Sequence, residues 1–181
     1  MDDLSTPLRT MKRIIILLLA LMPIVASAQE YIDLDKTDEN GRLVVTNTAP
    51  IFSDGKMYAM RFAYSLLAEN EMYYTTIVCC DEEKEWLVEP NSIGMFEMVR
   101  NEKDVYLHTL INSESSKMEN GKYMITTSYI IPINKVYEML DALKCITIKT
   151  STNQYHMINI DFDTASYLMQ SYLELLVMTG R

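Results

Sequence analysis

The densest group of side chains that could do chemistry is an acidic segment near the start of the chain: Asp33, Asp35, Asp38, Glu39 and Asn40. The EF-hand calcium loop needs oxygen ligands at alternate positions, a glycine at the sixth and a glutamate at the twelfth. Counting from Asp33 puts Asp38 at the sixth position and Val44 at the twelfth. Counting from Asp35 puts Asn40 and Thr46 there. Neither register fits, so we expect a solvated turn without a metal.

A second pair of carboxylates, Asp161 and Asp163, has the spacing of some metal or acid–base pairs. These residues also stand where a helix is expected to begin, and unpaired backbone N–H groups and the helix dipole favour carboxylates at that place. We therefore expect them to cap the helix, with Asp163 as the capping residue.

The chain has two histidines, His108 and His156, and both lie in predicted strands. Neither belongs to an H-E-x-x-H or C-x-x-C type of ligand set. There is no G-x-S-x-G elbow and no glycine cluster that could hold a phosphate, although a triad assembled from distant residues stays open. The sequence thus predicts no catalytic, cofactor-binding or metal-binding residue. A pocket that joins either histidine to a carboxylate and a nucleophilic hydroxyl would overturn this prediction.

The three cysteines cannot build a disulfide framework. Cys79 and Cys80 are neighbours in a predicted strand and should point to opposite faces. One of them could pair with Cys145, but we favour buried thiols that act as small apolar residues. The twelve tyrosines could stack on sugars or peptides, yet they equally suit the half-buried faces of amphipathic strands, which we prefer.

Residues 11–29 have the pattern of a secretory signal peptide. Lys12 and Arg13 precede an apolar run from Ile14 to Val25, and Ala26–Ala28 offers small residues for cleavage after Ala28. The run is shorter than the roughly 20 residues that span a membrane, although an uncleaved anchor or a buried helix is an alternative. We expect Met11 to be the true start. A lipoprotein is not expected, because Gln29 and not cysteine follows the cleavage point.

Removal of residues 1–28 leaves 13 basic and 23 acidic residues, a net charge of about −10. Such a surface repels phosphate backbones, so we expect no nucleic-acid partner. No later segment is long enough to span a membrane.

Behind the signal we expect a flexible lead over residues 29–42, or a short strand and turn, and then one β-rich domain over residues 43–181. Periodicity and turn residues predict a series of strands: Leu43–Ala49, Met57–Leu67, Met72–Cys80, Trp86–Val88, Ile93–Arg100, Val105–Ile111, Tyr123–Ile131, Cys145–Lys149 and Tyr155–Ile160. Met57–Leu67 also fits a helical stripe, but the alternation favours a strand. Asn112–Gly121 has the composition of an exposed loop.

Helical stripes predict a short internal helix from Pro132 to Leu143 and a C-terminal helix from Thr164 to about Met178. Strands joined by short connections and followed by a terminal helix predict the α+β class. We expect an antiparallel β-sandwich or a strongly bent sheet, covered on one side by the C-terminal helix.

From Trp86 onward the chain resembles a group of small exported, uncharacterised proteins of Bacteroides-type bacteria. The stretches that carry this resemblance are Tyr129–Ile133, Val136–Leu143 and Lys144–Thr150, where a "Y-x-I-P" strand end, a short helix and a "kIri-T" strand follow one another. Cys145 departs from the pattern, which usually has a small or apolar residue there. The resemblance implies a β-rich exported domain with a C-terminal helix and no known activity.

We therefore expect a soluble protein of the periplasm or the extracellular space, most simply a non-catalytic binding or accessory module with a protein or glycan ligand and no cofactor. The alternative is a small hydrolase that acts on envelope or other polymers. A concave site with convergent polar groups would favour the hydrolase, whereas a flat tyrosine-bearing sheet face would favour the binding module. Self-association through a strand edge is a third interpretation.

Overall fold

The computed structural model describes residues 30–181, except positions 40, 68–69, 89–93, 99–103, 132, 134–139, 141–142 and 153. The predicted signal peptide lies outside the described residues. The same holds for most of the predicted internal helix between Pro132 and Leu143. Leu143, its last predicted residue, opens a strand.

Within the described residues the chain is mostly antiparallel sheet with one C-terminal helix, consistent with the α+β class. The elements are β1 (Ile32–Asp38), β2 (Gly41–Thr46), β3 (Ala49–Ser53), β4 (Lys56–Leu67), β5 (Asn70–Glu82), β6 (Gly94–Met98), β7 (Asp104–Lys117), β8 (Tyr123–Ile130), β9 (Leu143–Lys149), β10 (Tyr155–Asn159) and α1 (Phe162–Met178). The strands pair in the order β1-β2-β4-β5-β8-β7-β6-β9-β10, and β3 pairs with β4.

The long β4–β5 hairpin is the centre of the sheet, and the sequence predicted it well. Tyr58, Met60, Phe62 and Tyr64 alternate along β4 and are all buried. The helical alternative for this segment is therefore wrong. At the other end of β4, the turn to β3 has Asp54 and the following glycine both at positive φ, which is the conformation of a tight hairpin turn.

Two local expectations need correction. The predicted loop at Asn112–Gly121 is wrong as far as Lys117, because β7 continues to that residue and pairs with β8, and the turn occupies only residues 118–121. This polar composition arises because most side chains of β7 from Ile111 to Lys117 are exposed, while main-chain hydrogen bonds pair the strand with β8. The predicted strand at Trp86–Val88 is only a bridge between Val88 and Thr150.

For the N-terminal segment the sequence predicted either a flexible lead or a short strand and turn, and the structure has the strand and turn. β1 pairs with β2 from Ile32 to Asp38, so the segment is a strand and turn. The Arg42 guanidinium donates two hydrogen bonds to the Asp35 carboxylate, at 3.0 and 2.9 Å. This pairing lowers the pKa of Asp35 and raises that of Arg42.

The C-terminal helix begins two residues earlier than predicted, at Phe162. Asp161, and not Asp163, is the N-cap, and its carboxylate accepts a hydrogen bond of 2.7 Å from the backbone N–H of Thr164. That bond lowers the pKa of Asp161. The buried side of the helix includes Tyr172, whose ring meets the ring of Phe62 edge to face at 5.2 Å between centroids.

Strands that are far apart in the pairing order come into contact. The Asn159 backbone N–H in β10 donates to the Ser53 hydroxyl in β3 at 3.0 Å, and the His156 ring in β10 contacts the Tyr58 hydroxyl in β4. These contacts bring the start of β4, the end of β5 and β10 to one place, where the candidate site lies.

Candidate functional site

A buried carboxylate, Glu82, forms the floor of the site. Cys79 pairs with Ile125 and Glu82 pairs with Tyr123, so β5 advances three residues while β8 advances two. The extra residue forms a β-bulge with Asp81 at φ 56°. The bulge reverses the alternation of the strand, and Glu82 turns inward to the side that Cys79 occupies. Only 5% of Glu82 is exposed.

Two basic side chains from other strands meet this carboxylate. Lys56 Nζ donates to Glu82 Oε2 at 2.8 Å. His156 Nε2 lies 3.4 Å from Glu82 Oε1. Within the described residues Oε1 accepts no hydrogen bond, so the histidine is an electrostatic neighbour and not a full partner. A buried carboxylate with one oxygen that accepts a hydrogen bond and one that does not lowers the stability of the fold. Such groups are therefore candidates for functional sites.

Aromatic rings enclose His156. The Trp86 ring lies 5.0 Å from the imidazole centroid at an interplanar angle of 30°, and the Tyr58 ring meets it edge-on at 5.6 Å. The Tyr58 hydroxyl is 3.2 Å from Nε2. A carboxylate near Nε2 favours the tautomer with hydrogen on that nitrogen, so the ring donates to Tyr58.

The electrostatics of the site keep His156 and Tyr58 uncharged near neutral pH. Burial lowers the pKa of His156; the Glu82 carboxylate opposes that effect, and the Lys56 ammonium adds to it. Burial, reinforced by Glu82, raises the pKa of Tyr58 to about 12. The pair of His156 and Tyr58 is therefore neutral.

A cavity of about 420 Å³ opens beside this cluster. Lys56 at the start of β4, the segment 82–86 after β5 and the turn between β9 and β10 line it. The turn is held by Thr150, whose hydroxyl contacts that of Thr152 at 2.9 Å and accepts from the Gln154 backbone N–H at 3.3 Å. The volume lies within the usual range of about 300–1,000 Å³ for small-molecule sites.

The cluster contains a histidine, a carboxylate and a hydroxyl, but their arrangement is not that of a catalytic triad. In a triad the two ring nitrogens serve different partners, one the carboxylate and the other the nucleophile. Here Tyr58 and Glu82 both face Nε2. A tyrosine with a raised pKa is also a poor nucleophile. Among the described residues, the geometry of this cluster provides no activated nucleophile.

The other candidates from the sequence do not join this site. Asp161 serves the helix, and Asp35 is paired with Arg42. His108 pairs with Ile130 along the β7–β8 ladder, and its side chain lies outside the described residues. In the part of the chain that is described, no group of three or more His, Cys, Asp or Glu side chains could hold a metal ion.

The cysteines are thiols and not a disulfide pair. Cys79 and Cys145 are buried, and Cys80 is half-buried, as expected of neighbours in a strand. Burial raises the pKa of both Cys79 and Cys80. These thiols therefore resist ionisation and carry no candidate chemistry.

Sequence reasoning missed most of the residues of the site. Of its members only His156 was singled out as a candidate. Trp86 was placed in a predicted strand, and Lys56 and Glu82 lay outside the predicted strands. The available signal was weak: Trp86 is the only tryptophan in the chain and follows a run of charged residues.

The described residues include no helix that is both long and apolar enough to cross a membrane. No protein-family model and no curated protein matches the chain. Among solved structures, one of the human pre-T cell receptor is similar at 10% identity, with a TM-score of 0.25, over 66% of this chain and 97% of that one. A likeness at this level carries no argument about fold or function.

Proposed function

We propose that the protein is an exported binding module that holds a small polar ligand in the cavity beside Trp86 and His156. The observation that carries this proposal is that two residues that line the cavity, Glu82 and Trp86, each have a buried polar atom, Oε1 and Nε1, with no hydrogen-bond partner among the described residues. An orphaned acceptor and an orphaned donor are costly in a folded protein unless another molecule satisfies them.

The strained backbone at Asp81, which turns Glu82 toward the floor of the site, supports the same proposal. Glu82 faces inward only because a bulge holds Asp81 at positive φ, a conformation that aspartate tolerates at some cost. Bulges that re-aim a side chain are common next to functional sites. A sheet that needed only stability would place an apolar residue at this position.

The alternative, a small hydrolase, is favoured by one observation: a histidine and a carboxylate share a cavity. The proximity of both Tyr58 and Glu82 to one ring nitrogen weighs against it, because no contact within the described residues links His156 to an activated nucleophile. Binding is therefore the better-supported function.

We further propose the wider setting of this module. The signal pattern at residues 11–28 supports export to the periplasm or beyond, and kinship with the exported Bacteroides-type group remains part of this proposal. The contacts of β10 with β3 and β4 support a strongly bent sheet rather than a flat one, with α1 covering one side.

The binding proposal is tested by two-dimensional NMR of the mature protein. The indole N–H of Trp86 gives one isolated signal, because the chain has a single tryptophan. The probes are a neutral disaccharide, a free amino acid, a dipeptide and inorganic phosphate, each at millimolar concentration. We expect at least one probe to move the indole signal in a saturable way. The proposal fails if none does while the spectrum shows a folded protein.

The hydrolase alternative is tested with 4-nitrophenyl acetate and with 4-nitrophenyl glycosides. We expect no release of nitrophenol above the buffer rate. Release that disappears in the His156→Ala variant would establish the hydrolase instead.

A further inference from the structure

We propose that the ligand of this cavity is a neutral saccharide unit, held by an exposed ring at the rim and by side chains of both charge signs. This inference rests on the proposed function and names the chemical class of its ligand.

The first step concerns the polar groups that remain available at the cavity. Among the residues that the structure describes, no hydrogen bond or ion pair engages the side chains of Lys84, Glu85 and Gln154, and all three are exposed. They offer a donor, an acceptor and an amide that is both. A sugar hydroxyl is itself donor and acceptor, so it can use all three groups at once.

The second step concerns charge. Lys84 and Glu85 are adjacent and opposite in sign, and Lys56 is already held by Glu82. An anionic ligand would meet Glu85 and the nearby Glu83 on a chain with a net charge of −9. A cationic ligand would meet Lys56 and Lys84. The lining thus presents side chains of both signs next to each other, and a neutral molecule with several hydroxyl groups can bond to both signs without meeting a like charge.

The third step concerns the apolar contact. Tyr155 lies at the rim of the cavity with 67% of its surface exposed. One face of the Trp86 indole ring lies against the His156 ring, so Trp86 cannot present both faces to a ligand. Tyr155 is thus the available ring, and an aromatic face packs well against the C–H face of a sugar. The cavity volume of about 420 Å³ accommodates one or two sugar rings.

The test is a fluorescence titration of the mature protein, in which Trp86 is the sole tryptophan. The neutral probes are maltose, cellobiose and N,N′-diacetylchitobiose. The charged probes are galacturonic acid and glucosamine. We expect saturable binding of at least one neutral disaccharide and at least tenfold weaker binding of the charged sugars.

Variants locate the binding. Tyr155→Ala should weaken the affinity for the bound disaccharide about three- to tenfold, because the ring contact is lost. The matched control is Phe52→Ala, an exposed aromatic residue on β3 that does not line the cavity, and it should leave the affinity unchanged. Equal losses in both variants would overturn the assignment of the ring.

The outcomes separate the two proposals. If the amino acid, the dipeptide or phosphate moves the Trp86 signal while every neutral sugar leaves it unmoved, the saccharide inference is overturned and the binding function stands. If no probe of any class moves it, the binding function itself fails.

Discussion

Removing the lysine of the buried ion pair should destabilise the protein more than removing the glutamate. In Lys56→Met the Glu82 carboxylate stays buried, with a side-chain exposure of 6%, and loses its cation. Breaking a buried pair from one side costs about 3–5 kcal/mol. Because the Lys56 side chain is 38% exposed, water screens part of the pair and we expect a loss of about 2 kcal/mol.

The Glu82→Gln variant tests whether removing the lysine destabilises the protein more than removing the glutamate. In Glu82→Gln the lysine can turn into solvent, so the loss should be clearly smaller than in Lys56→Met. The double variant Lys56→Met/Glu82→Gln removes both charges and should recover most of the stability, which a double-mutant cycle reports as a coupling energy. The free energy of unfolding is measured by urea denaturation at pH 8 and at pH 5.5.

The pH dependence of the loss adds a second readout. In Lys56→Met the His156 imidazole can take up a proton at low pH and replace the missing cation beside Glu82. The difference from the wild type should therefore shrink between pH 8 and pH 5.5. The matched control is Lys122→Met, which breaks the exposed Lys122–Glu83 pair and should change the stability little. A loss in Lys56→Met no larger than in this control would refute the reasoning.

Three further predictions concern single elements. Burial lowers the pKa of His156 below its ordinary value of 6.5, so below about pH 6.5 the unfolded state binds more protons than the folded state. The wild type should therefore lose stability as the pH falls below about 6.5. His156→Gln should lose less stability over the same range, as urea titrations would show. Asp161→Ala should lower the free energy of unfolding by about 1 kcal/mol through loss of the helix cap, whereas Asp161→Ser should lose little, and equal losses in the two would contradict the cap. Asp81→Val should destabilise the protein more than Asp81→Gly, because a β-branched residue fits poorly at φ 56° and glycine is unstrained there. The reverse order of the two variants in thermal unfolding would argue against the bulge geometry.

Much of the sheet could be predicted because alternation is a local property of the sequence. β4 and β5 show it over many residues, and turn residues such as Asp54 and Gly55 mark their ends. The continuation of β7 through Lys117 could not be predicted, because a strand with mostly exposed side chains has the polar composition of a loop. The N-cap was misplaced by two residues since both Asp161 and Asp163 suit the role.

The candidate site was harder to predict because it depends on contacts between distant segments. Glu82 and Lys56 lie 26 residues apart, and Tyr58 and His156 lie 98 apart. The inward turn of Glu82 also requires the bulge at Asp81, and the period-2 pattern alone would place Glu82 on the other face. Only the paired sheet reveals both facts.

The central claim is that the buried Lys56–Glu82–His156 cluster forms the floor of a ligand site. The most direct test is a titration of the Trp86 indole signal with the best-binding probe, carried out in the wild type and in Glu82→Gln. We predict saturable movement in the wild type and markedly weaker binding in the variant, because the orphaned carboxylate oxygen is then replaced. Identical binding in the two proteins, or no movement in the wild type with any probe, would contradict the account.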